Sequence, residues 1–516
     1  MSFTRRRFVQ GFAGASASTL SASGGPAEAG TSKRKKRTIY FNDARHYYLF
    51  VFEPPMTMED AWRPVDEVAG TPVDTFIYGV ERGDGLFYPS KVGMQFGDDK
   101  RPFTMAAYWR TWENMKSLEA RGLDPLKVLI DRAHEKGMDF FTSLRMSSFG
   151  RMPPKFRVPE GRGLAQPEVR DHQFAVLEEL TNEYDVEGVE LDFAAAPGGM
   201  PLCLRPEDVN EYTPVLTDYV RKISKMVRAS GKEVGVRVYP IEAMCRERGL
   251  EAAKWIEEGL VDYVVPMLYL DFTLDPDMPI DWLIEKAHAR DVPVYGILQP
   301  YVRDEATDSP VRIYATPETA RGVVANHWAR GVDGIYAWFM RWPLGDSERR
   351  ILTELGDPDL IAEGNRRYVQ RHRSQQAVEL GYDAILPIEI KEAMPGKRYS
   401  IPFSIADDVV AAAQRIRRIA LYLEIKNLVS ADRLGVFLNG KSLAEEVCMR
   451  DFSWNVAPYQ GQKLEFHLGQ VRPRKGENLL EISLDGRPDG LVGGITIEGV
   501  QVCIEYGSYP SALVVS

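Results

Sequence analysis

Cysteine is scarce in this sequence, and its few cysteines form no recognisable pattern. The 516 residues include four of them, with no Cys-x-x-Cys motif. A disulfide-linked scaffold or a thiolate metal site needs a denser and more regular set. Long hydrophobic runs are also missing, because no segment approaches the roughly 20 consecutive apolar residues of a membrane helix. We therefore predict neither a disulfide framework nor a membrane span.

Histidine and surplus positive charge are in short supply as well. The seven histidines are scattered, with no His-x-x-x-His pair to suggest zinc. Neither a Gly-x-Ser-x-Gly elbow nor a Walker loop occurs. Lys and Arg number 64 against 74 Asp and Glu, a net charge of −10, whereas a nucleic-acid-binding protein needs surplus cations. We predict no metal, no cofactor and no nucleic acid, which leaves carboxylate chemistry as the main candidate.

The N-terminus has the pattern of an export signal. Residues 4–10 resemble the twin-arginine box, residues 11–24 are weakly apolar, and Ala27-Glu28-Ala29 is a small-x-small cleavage pattern. We predict a twin-arginine signal peptide over residues 1–29, a basic leader over 30–37, and a periplasmic or extracellular location. A disordered basic N-terminus is the alternative.

Short apolar runs alternate with helix-like stretches between residues 38 and about 345. The eight runs are His46–Phe52, Val73–Val80, Met138–Arg145, Val186–Phe193, Glu233–Tyr239, Val261–Leu270, Val292–Leu298 and Val332–Phe339. Most are continuously apolar, which is typical of parallel strands covered by helices. An open doubly wound sheet would carry a glycine-rich phosphate loop after its first strand, and none is present. The pattern predicts an α/β fold with a (β/α)8 TIM barrel as catalytic domain over residues 38–363.

Beyond about residue 375, strands follow one another without helices between them. Turn dipeptides such as Asn439-Gly440 and Asp485-Gly486 separate them. We predict a C-terminal antiparallel β-sandwich, jelly-roll-like, as an accessory domain over residues 382–516. A charged, glutamine-rich linker over 364–381 would join it to the barrel.

The fourth run of the barrel carries the most informative pair of carboxylates. In Gly188-Val189-Glu190-Leu191-Asp192-Phe193, a strand period of two places Glu190 and Asp192 on one face and apolar residues on the other. The apolar face suits the helix layer, so the carboxylates would point into the barrel mouth. Burying two carboxylates demands nearby cations, metal or substrate. A structural salt-bridge network is the alternative interpretation.

Two arginines of neighbouring runs could supply the cations. Arg145 ends the third run and Arg237 lies in the fifth. Each could neutralise a carboxylate or clamp an anionic group of a substrate. Asp43, close to the first run, is a candidate catalytic carboxylate or a turn residue.

Further polar and aromatic residues stand at other strand ends. Aromatic faces stack on apolar sugar faces, and carboxylates or amides meet hydroxyl groups, so together these residues predict a sugar-binding mouth. They are Glu242 as a further catalytic candidate, with His46, Tyr78, Tyr269, Asp271, Gln299 and Trp338 as substrate-binding candidates.

Four short motifs resemble those of a known protein group. They are Asn42-Asp43 with His46-Tyr47-Tyr48, Ser143-Leu144-Arg145-Met146, the Gly188–Phe193 run, and Val236-Arg237-Val238. The barrel resembles the glycosyl-hydrolase-like group distantly related to family 10, and it is similar to the inverting sialidases of glycoside hydrolase family 156. This resemblance implies a barrel with a β-rich C-terminal domain.

The same resemblance implies roles for individual residues. Asp43 would be the acidic residue after the first strand, and Arg145 and Arg237 would grip a sialic acid carboxylate. Where such relatives continue to an Asn-Asp and a catalytic histidine, this chain has Ser147-Ser148-Phe149-Gly150. Another carboxylate would then take the histidine's role, the substrate would differ, or activity would be lost.

The sequence as a whole predicts an exported glycoside hydrolase acting on a poly- or oligosaccharide. Asp192 is the first candidate for a catalytic carboxylate, with Asp43, Glu190 or Glu242 as its partner. The sugar could be acidic, such as a sialic or uronic acid, and the chain could form a homodimer. A non-catalytic glycan-binding protein with a degenerate barrel is the alternative, and a lyase or transferase is a third.

Overall fold

The computed structural model describes residues 35–43, 48–82, 85–146, 163–194, 204–269, 272–303, 312–362, 364–452 and 461–507. The predicted signal peptide and most of the predicted leader lie outside these ranges. So do the candidates His46 and Asp271 and the Ser147–Gly150 segment.

Eight parallel strands form the N-terminal part of the fold. They are β1 (Arg37–Asp43), β2 (Thr75–Gly79), β3 (Asp139–Arg145), β4 (Gly188–Asp192), β5 (Glu233–Val238), β6 (Tyr263–Pro266), β7 (Tyr295–Leu298) and β8 (Gly334–Trp338). Their order is β6-β5-β4-β3-β2-β1-β8-β7. A bridge between Val264 and Val294 joins the two ends, with the Val264 amide donating to the Pro293 carbonyl at 3.0 Å. The ring therefore closes, and the predicted TIM barrel is confirmed.

Helices surround this ring. They are α1 (Tyr48–Val51), α2 (Met58–Asp66), α3 (Ala106–Glu119), α4 (Pro125–Glu135), α5 (Pro167–Glu183), α6 (Val209–Ala229), α7 (Glu242–Arg246), α8 (Ala252–Glu257), α9 (Asp281–His288), α10 (Pro317–Arg330), α11 (Asp346–Leu355), α12 (Pro358–Ala362) and α13 (Gln375–Glu379), with a 3-10 turn at Pro206–Asp208. Thr57 begins α2 with a capping box to Asp60, and left-handed Gly331, at φ 99°, ends α10. Within the described ranges, no helix has the length and apolarity needed to cross a bilayer.

The prediction of the first strand is wrong. The strand is Arg37–Asp43, all seven residues of which are buried, whereas Tyr48–Val51 within the predicted run forms a one-turn helix. Helix α3 holds that turn in place, since Asn114 Nδ2 donates to the Leu49 carbonyl at 3.1 Å. Both segments are apolar and short, so their hydrophobicity did not distinguish a strand from a helix turn.

Aromatic rings fill the lower half of the barrel interior, where glycines leave room for them. A β-carbon on Gly188 would overlap the Phe141 ring, and one on Gly235 would overlap the Tyr263 ring. The two rings meet edge to face, with centroids 5.8 Å apart. Below them Arg37 lies with its Cζ 4.8 Å from the Phe141 centroid. Glu190 and Asp192 come after Gly188 in the same strand and so lie above this layer, towards the carboxyl ends of the strands.

The C-terminal part is a two-sheet sandwich with its own apolar core. Its strands are β9 (Arg366–Val369), β10 (Ile388–Ile390), β11 (Tyr399–Ile405), β12 (Ile416–Lys426), β13 (Arg433–Leu438), β14 (Lys441–Ser442), β15 (Val447–Phe452), β16 (Gly461–His467), β17 (Gly476–Gly486) and β18 (Ile495–Tyr506). One sheet has the order β9-β18-β12-β16-β15 with β10 also beside β18, and the other has the order β11-β17-β13-β14. This confirms the predicted sandwich. Strand β9 and helix α13 lie within the predicted linker.

Two short hairpins extend the strand ends of the barrel, and one of them meets the sandwich. They pair Glu81–Arg82 with Gly85–Leu86 and Tyr301–Arg303 with Arg312–Tyr314. Arg303 Nη1 donates to Glu424 of β12 at 3.0 Å. Helix α10 also contacts the sandwich, because Asn326 Nδ2 donates to the Ser404 carbonyl at 3.0 Å. Barrel and sandwich are thus joined by buried polar contacts.

Candidate active site

Strand β4 brings two carboxylates into the barrel interior. Glu190 and Asp192 are completely buried and alternate with Val189 and Leu191, which face the helix layer. Asp192 stands in register between Arg145 of β3 and Arg237 of β5. The inward orientation expected from the period of the strand is therefore the one observed, and both predicted arginines flank it.

Arg237 binds both carboxylates of β4. Its Nη2 donates to Asp192 Oδ2 at 2.6 Å, and its Nε lies 3.0 Å from Glu190 Oε1. The guanidinium also lies 4.5 Å from the centroid of the Phe41 ring. Burial alone would lower the pKa of Arg237, but Asp192, Tyr336 and Glu190 raise it above the usual arginine value. Arg237 is thus a permanent cation that holds the pair in place.

Asp43 and Arg145 form a second buried pair. Arg145 Nη2 donates to Asp43 Oδ2 at 2.6 Å, and both side chains are almost fully buried. The two residues belong to β1 and β3, so the contact crosses β2 at Gly79, which is in register with Asp43. A β-carbon on Gly79 would lie 3.4 Å from the Asp43 β-carbon and 3.1 Å from Phe41 Cζ. The absence of a side chain at Gly79 makes room for the pair.

Acidic groups from several strand ends converge on Arg145. Burial by itself would lower the pKa of Arg145, but its acidic neighbours raise it above the usual arginine value. In order of their effect, these neighbours are Tyr269, Asp43, Asp192 and Glu81. They follow or end β6, β1, β4 and β2, so side chains from four strands surround an arginine of a fifth. Glu81, in the short hairpin after β2, is half-buried.

Glu190 lies deeper than Asp192 and is surrounded by donors. Ser143 Oγ donates to its Oε1 at 2.8 Å, the Tyr336 hydroxyl to the same oxygen at 3.1 Å, and the Tyr263 hydroxyl to Oε2 at 3.3 Å. Burial raises the pKa of Glu190, against the opposing effect of Arg237. Each oxygen is therefore held by the barrel itself, and Glu190 serves to fix Arg237 and its neighbours.

An aromatic wall stands on the other side of the mouth. The centroids of Tyr269 and Phe272 lie 5.4 Å and 4.7 Å from that of Trp338, and Phe339 is 3.9 Å away. Arg145 Cζ lies 5.8 Å from the Tyr269 centroid, so the wall is continuous with the charged group. The Trp338 indole N–H is buried with no hydrogen-bond acceptor among the described residues. Two predicted sugar-binding residues, Tyr269 and Trp338, therefore lie together.

Gln299 follows β7 beside this wall. Its Nε2 donates to the Leu268 carbonyl at 2.6 Å. With Trp338, Tyr314 and Arg341 it lines a cavity of about 20 Å³, which has room for a single water. The amide of Gln299 thus helps to position the segment after β6.

Tyr78 lies in the barrel wall but faces away from the mouth. It is in register with Asn42 of β1 and Thr142 of β3, on the outer face of the sheet. Its hydroxyl lies 3.3 Å from the Tyr48 hydroxyl of α1. Burial raises the pKa of Tyr78 well above its usual value. The structure therefore places Tyr78 in the packing between sheet and helices, apart from Asp192.

Glu242 also lies apart from the buried carboxylates. It begins α7, is about one third exposed, and faces Arg246, with Oε2 and Nη2 3.7 Å apart. It lines a surface groove of about 470 Å³ between α6 and α8. Among the described residues, no group of three or more histidine, cysteine, aspartate or glutamate side chains is arranged to hold a metal ion.

Sequence comparison finds a distant relative of the chain. No model of a known protein family matches it. Over 311 residues it is 20% identical to the glycosyl hydrolase DigH of Escherichia coli O6:H1 (strain CFT073), a match covering 48% of this chain and 63% of that protein. The chain therefore spans less than two thirds of the length of this relative.

Solved structures of carbohydrate-active enzymes are also matched, at low identity. α-L-Fucosidase isoenzyme 2 from Paenibacillus thiaminolyticus is 12% identical, with 70% of this chain and 52% of that chain covered at a TM-score of 0.41. The glycoside hydrolase domain of PgaB (BpsB) from Bordetella bronchiseptica is 14% identical, with 62% and 99% covered at a TM-score of 0.39. The closed barrel and the sequence similarity to DigH together support a glycoside hydrolase-like TIM-barrel fold.

Proposed function

We propose that this protein is a glycoside hydrolase whose reaction takes place at the carboxyl ends of the barrel strands. The observation that carries the proposal is the convergence of Asp43, Asp192 and Glu81 on Arg145. Glycosidic bonds are cleaved by paired carboxyl groups that flank the bond. Active groups of this barrel class lie at the same ends of the strands. Similarity to a protein named a glycosyl hydrolase supports the same reaction class.

The surroundings of each carboxyl group suggest which catalytic role it has. Asp192 is paired with Arg237 and Asp43 with Arg145, so each aspartate is held in a fixed position at the end of its strand. Both aspartates are therefore suited to act as a base or nucleophile. Glu81 is half-buried at the rim, and we propose it as the general acid that protonates the leaving oxygen. Glu190 and Arg237 then act as positioning residues.

The balance of charge favours a neutral or amino sugar over an acidic one. Four carboxyl groups, those of Asp43, Glu81, Glu190 and Asp192, surround two guanidinium groups. Each arginine already has a carboxylate oxygen 2.6 Å from one of its nitrogens. An anionic sugar would add a like charge to this group. We therefore propose a neutral or cationic saccharide in place of the sialic or uronic acid considered first.

The proposal is tested by screening the full chain against chromogenic neutral hexosides, N-acetylhexosaminides, glucosaminides, sialosides and uronides. On any glycoside that is cleaved, Asp192→Asn should reduce kcat by roughly 1,000-fold or more. The exposed Asp218, 73% accessible, provides the matched control Asp218→Asn, which should leave kcat unchanged. Full activity in Asp192→Asn would remove that residue from the mechanism.

A non-catalytic glycan-binding protein is the second candidate. It is favoured by the buried pairing of both aspartates with arginine. It is also favoured by the Ser147–Gly150 sequence, at the point where the resemblance to family 156 sialidases would imply a histidine. Binding to a glycan array without release of any product from the bound glycans would establish this alternative. The lyase alternative would instead release unsaturated sugars.

We also propose export by the twin-arginine route, on the basis of residues 1–29. Replacing Arg5 and Arg6 with lysine in the full chain should keep the protein in the cytoplasm of a bacterial host. Fractionation of the cells measures this, and unchanged export of the double variant would contradict it.

A further inference from the structure

A groove of about 560 Å³ runs along the start of helix α3, apart from the carboxylate group. Its floor is aromatic and apolar, formed by Phe103, Met105, Trp109 and Trp112. Met105 is 51% and Trp109 40% exposed, which is high for side chains of this size. The volume falls within the roughly 300–1,000 Å³ of small-ligand sites. We name this feature the Trp109 groove.

One ring in the floor of the Trp109 groove, that of Trp112, is held in place by its neighbours. Trp112 Nε1 donates to Asp98 Oδ1 at 3.0 Å, and Arg101 Cζ lies 4.5 Å from the Trp112 ring centroid. Gly97, at φ 100°, allows the chain to pass beneath this ring, because a β-carbon there would lie 2.6 Å from Trp112 Cδ1. A site whose side chains are fixed before binding loses less entropy when a ligand arrives.

The groove lies on the mouth side of the barrel. Arg110, next to Trp109, donates through Nε to the Phe50 carbonyl of α1 at 3.0 Å. Helix α1 follows the carboxyl end of β1, where Asp43 is located. A chain-like ligand bound at the strand ends could therefore extend towards the groove.

We propose that the Trp109 groove is a second glycan-binding site that holds a neutral saccharide chain outside the active site. This inference rests on the proposed function for its substrate class. Indole faces stack on the apolar faces of pyranose rings, as the exposed Trp109 is placed to do. Arg101 and Glu113 line the groove with one charge of each sign and can bond to hydroxyl groups. A lining without net charge suits a neutral polymer better than an anionic one.

The test is affinity electrophoresis of the full chain in gels that contain soluble neutral glycans, namely dextran, laminarin, hydroxyethyl cellulose and glycol chitin. We expect at least one glycan to retard the wild-type protein. Trp109→Ala should weaken that binding by roughly tenfold, and Trp109→Phe should restore most of it because a ring face remains. Phe452→Ala is the matched control, since Phe452 is 63% exposed on the sandwich.

The outcomes separate this inference from the proposed function. Glycan binding that is unaffected in Trp109→Ala, or absent in the wild type, would overturn the second site, whatever the hydrolysis screen shows. Binding that depends on Trp109 in a protein without hydrolytic activity would retain the site and reject the enzyme. If Trp109→Ala instead converts a dimer to a monomer in sedimentation, the groove is a contact between copies and the inference fails.

Discussion

Asp43 and Arg145, 102 positions apart in the sequence, meet across an intervening strand, with Oδ2 and Nη2 2.6 Å apart. The strand between them contributes Gly79 at the crossing point, in register with Asp43. A β-carbon at that position would lie 3.6 Å from the carboxyl carbon of Asp43 and 3.1 Å from Phe41 Cζ. The geometry of the mouth therefore depends on a residue that carries no functional group.

This dependence on Gly79 can be measured with a graded series. Gly79→Ala places a β-carbon 3.1 Å from Phe41 Cζ and should be tolerated with a small loss. Gly79→Val adds two methyl groups there and should cost about 1–3 kcal/mol of unfolding free energy through overpacking. It should also displace Asp43 and reduce turnover. Urea denaturation and glycoside hydrolysis test this, and equal behaviour of the alanine and valine variants would contradict it.

The buried Asp43–Arg145 pair should show strong coupling in a double-mutant cycle. Arg145→Met removes a cation from a buried carboxylate and should cost about 3–5 kcal/mol. Asp43→Asn together with Arg145→Met should cost less than the sum of the two single changes, with a coupling energy of about 1–3 kcal/mol. Urea denaturation of the four proteins provides the measurement. Additive free energies would mean that the pair does not stabilise the fold.

Substitution of Glu190 distinguishes a positioning role for this residue from a catalytic one. Glu190→Gln removes a charge from Arg237 and turns an amide NH2 towards a tyrosine or serine donor, which should cost about 1–3 kcal/mol. The melting temperature should therefore fall by several degrees. If Glu190→Gln instead melts like the wild type and loses all turnover, Glu190 is a catalytic residue and the positioning role is wrong.

The regular alternation of apolar runs and helix-like stretches made the barrel predictable. The inward orientation of Glu190 and Asp192 was predictable as well, because a strand period of two places both side chains on the same face of β4. The first strand was not predictable from hydrophobicity, because Arg37–Asp43 and Tyr48–Val51 are both short and buried. Strand β15 was missed for the opposite reason, since all its residues are exposed and leave no pattern of burial.

Part of the site was predictable from positions in the strands, as Arg145, Asp192 and Arg237 show. Asp43 was named from a cluster of polar residues and from a family resemblance, because the predicted first strand began after it. The structure pairs Asp43 with Arg145 and Asp192 with Arg237. Glu242 was also named from its position but follows its strand at a distance, in a helix that faces outward. The role of Gly79 could not be predicted from a single sequence. It depends on which strands flank β2 and on the register in which they pair with it.

Glu67, which does not belong to this site, gives the fold a dependence on pH. It ends helix α2, and both of its carboxyl oxygens are buried. Burial raises the pKa of Glu67 to about 8, against smaller opposing effects of the Leu344 amide and Arg63. In the unfolded chain the same group has a pKa of about 4.5. The folded protein therefore retains a proton that the unfolded chain releases between these two values.

The difference between the pKa values of Glu67 in the folded and unfolded states sets the direction in which stability changes with pH. Below pH 4.5 the carboxyl group is protonated in both states and its stabilising contribution is complete. As pH rises towards 8 the unfolded chain ionises first, so stability should fall by up to about 1.4 kcal/mol per pH unit. Glu67→Gln cannot ionise and should exceed the wild type in melting temperature at pH 8.5 but not at pH 4.5. The exposed Glu247, 67% accessible, gives the control Glu247→Gln, which should follow the wild type at both values. Parallel melting curves for Glu67→Gln and the wild type across this range would show that Glu67 is already ionised in the folded protein.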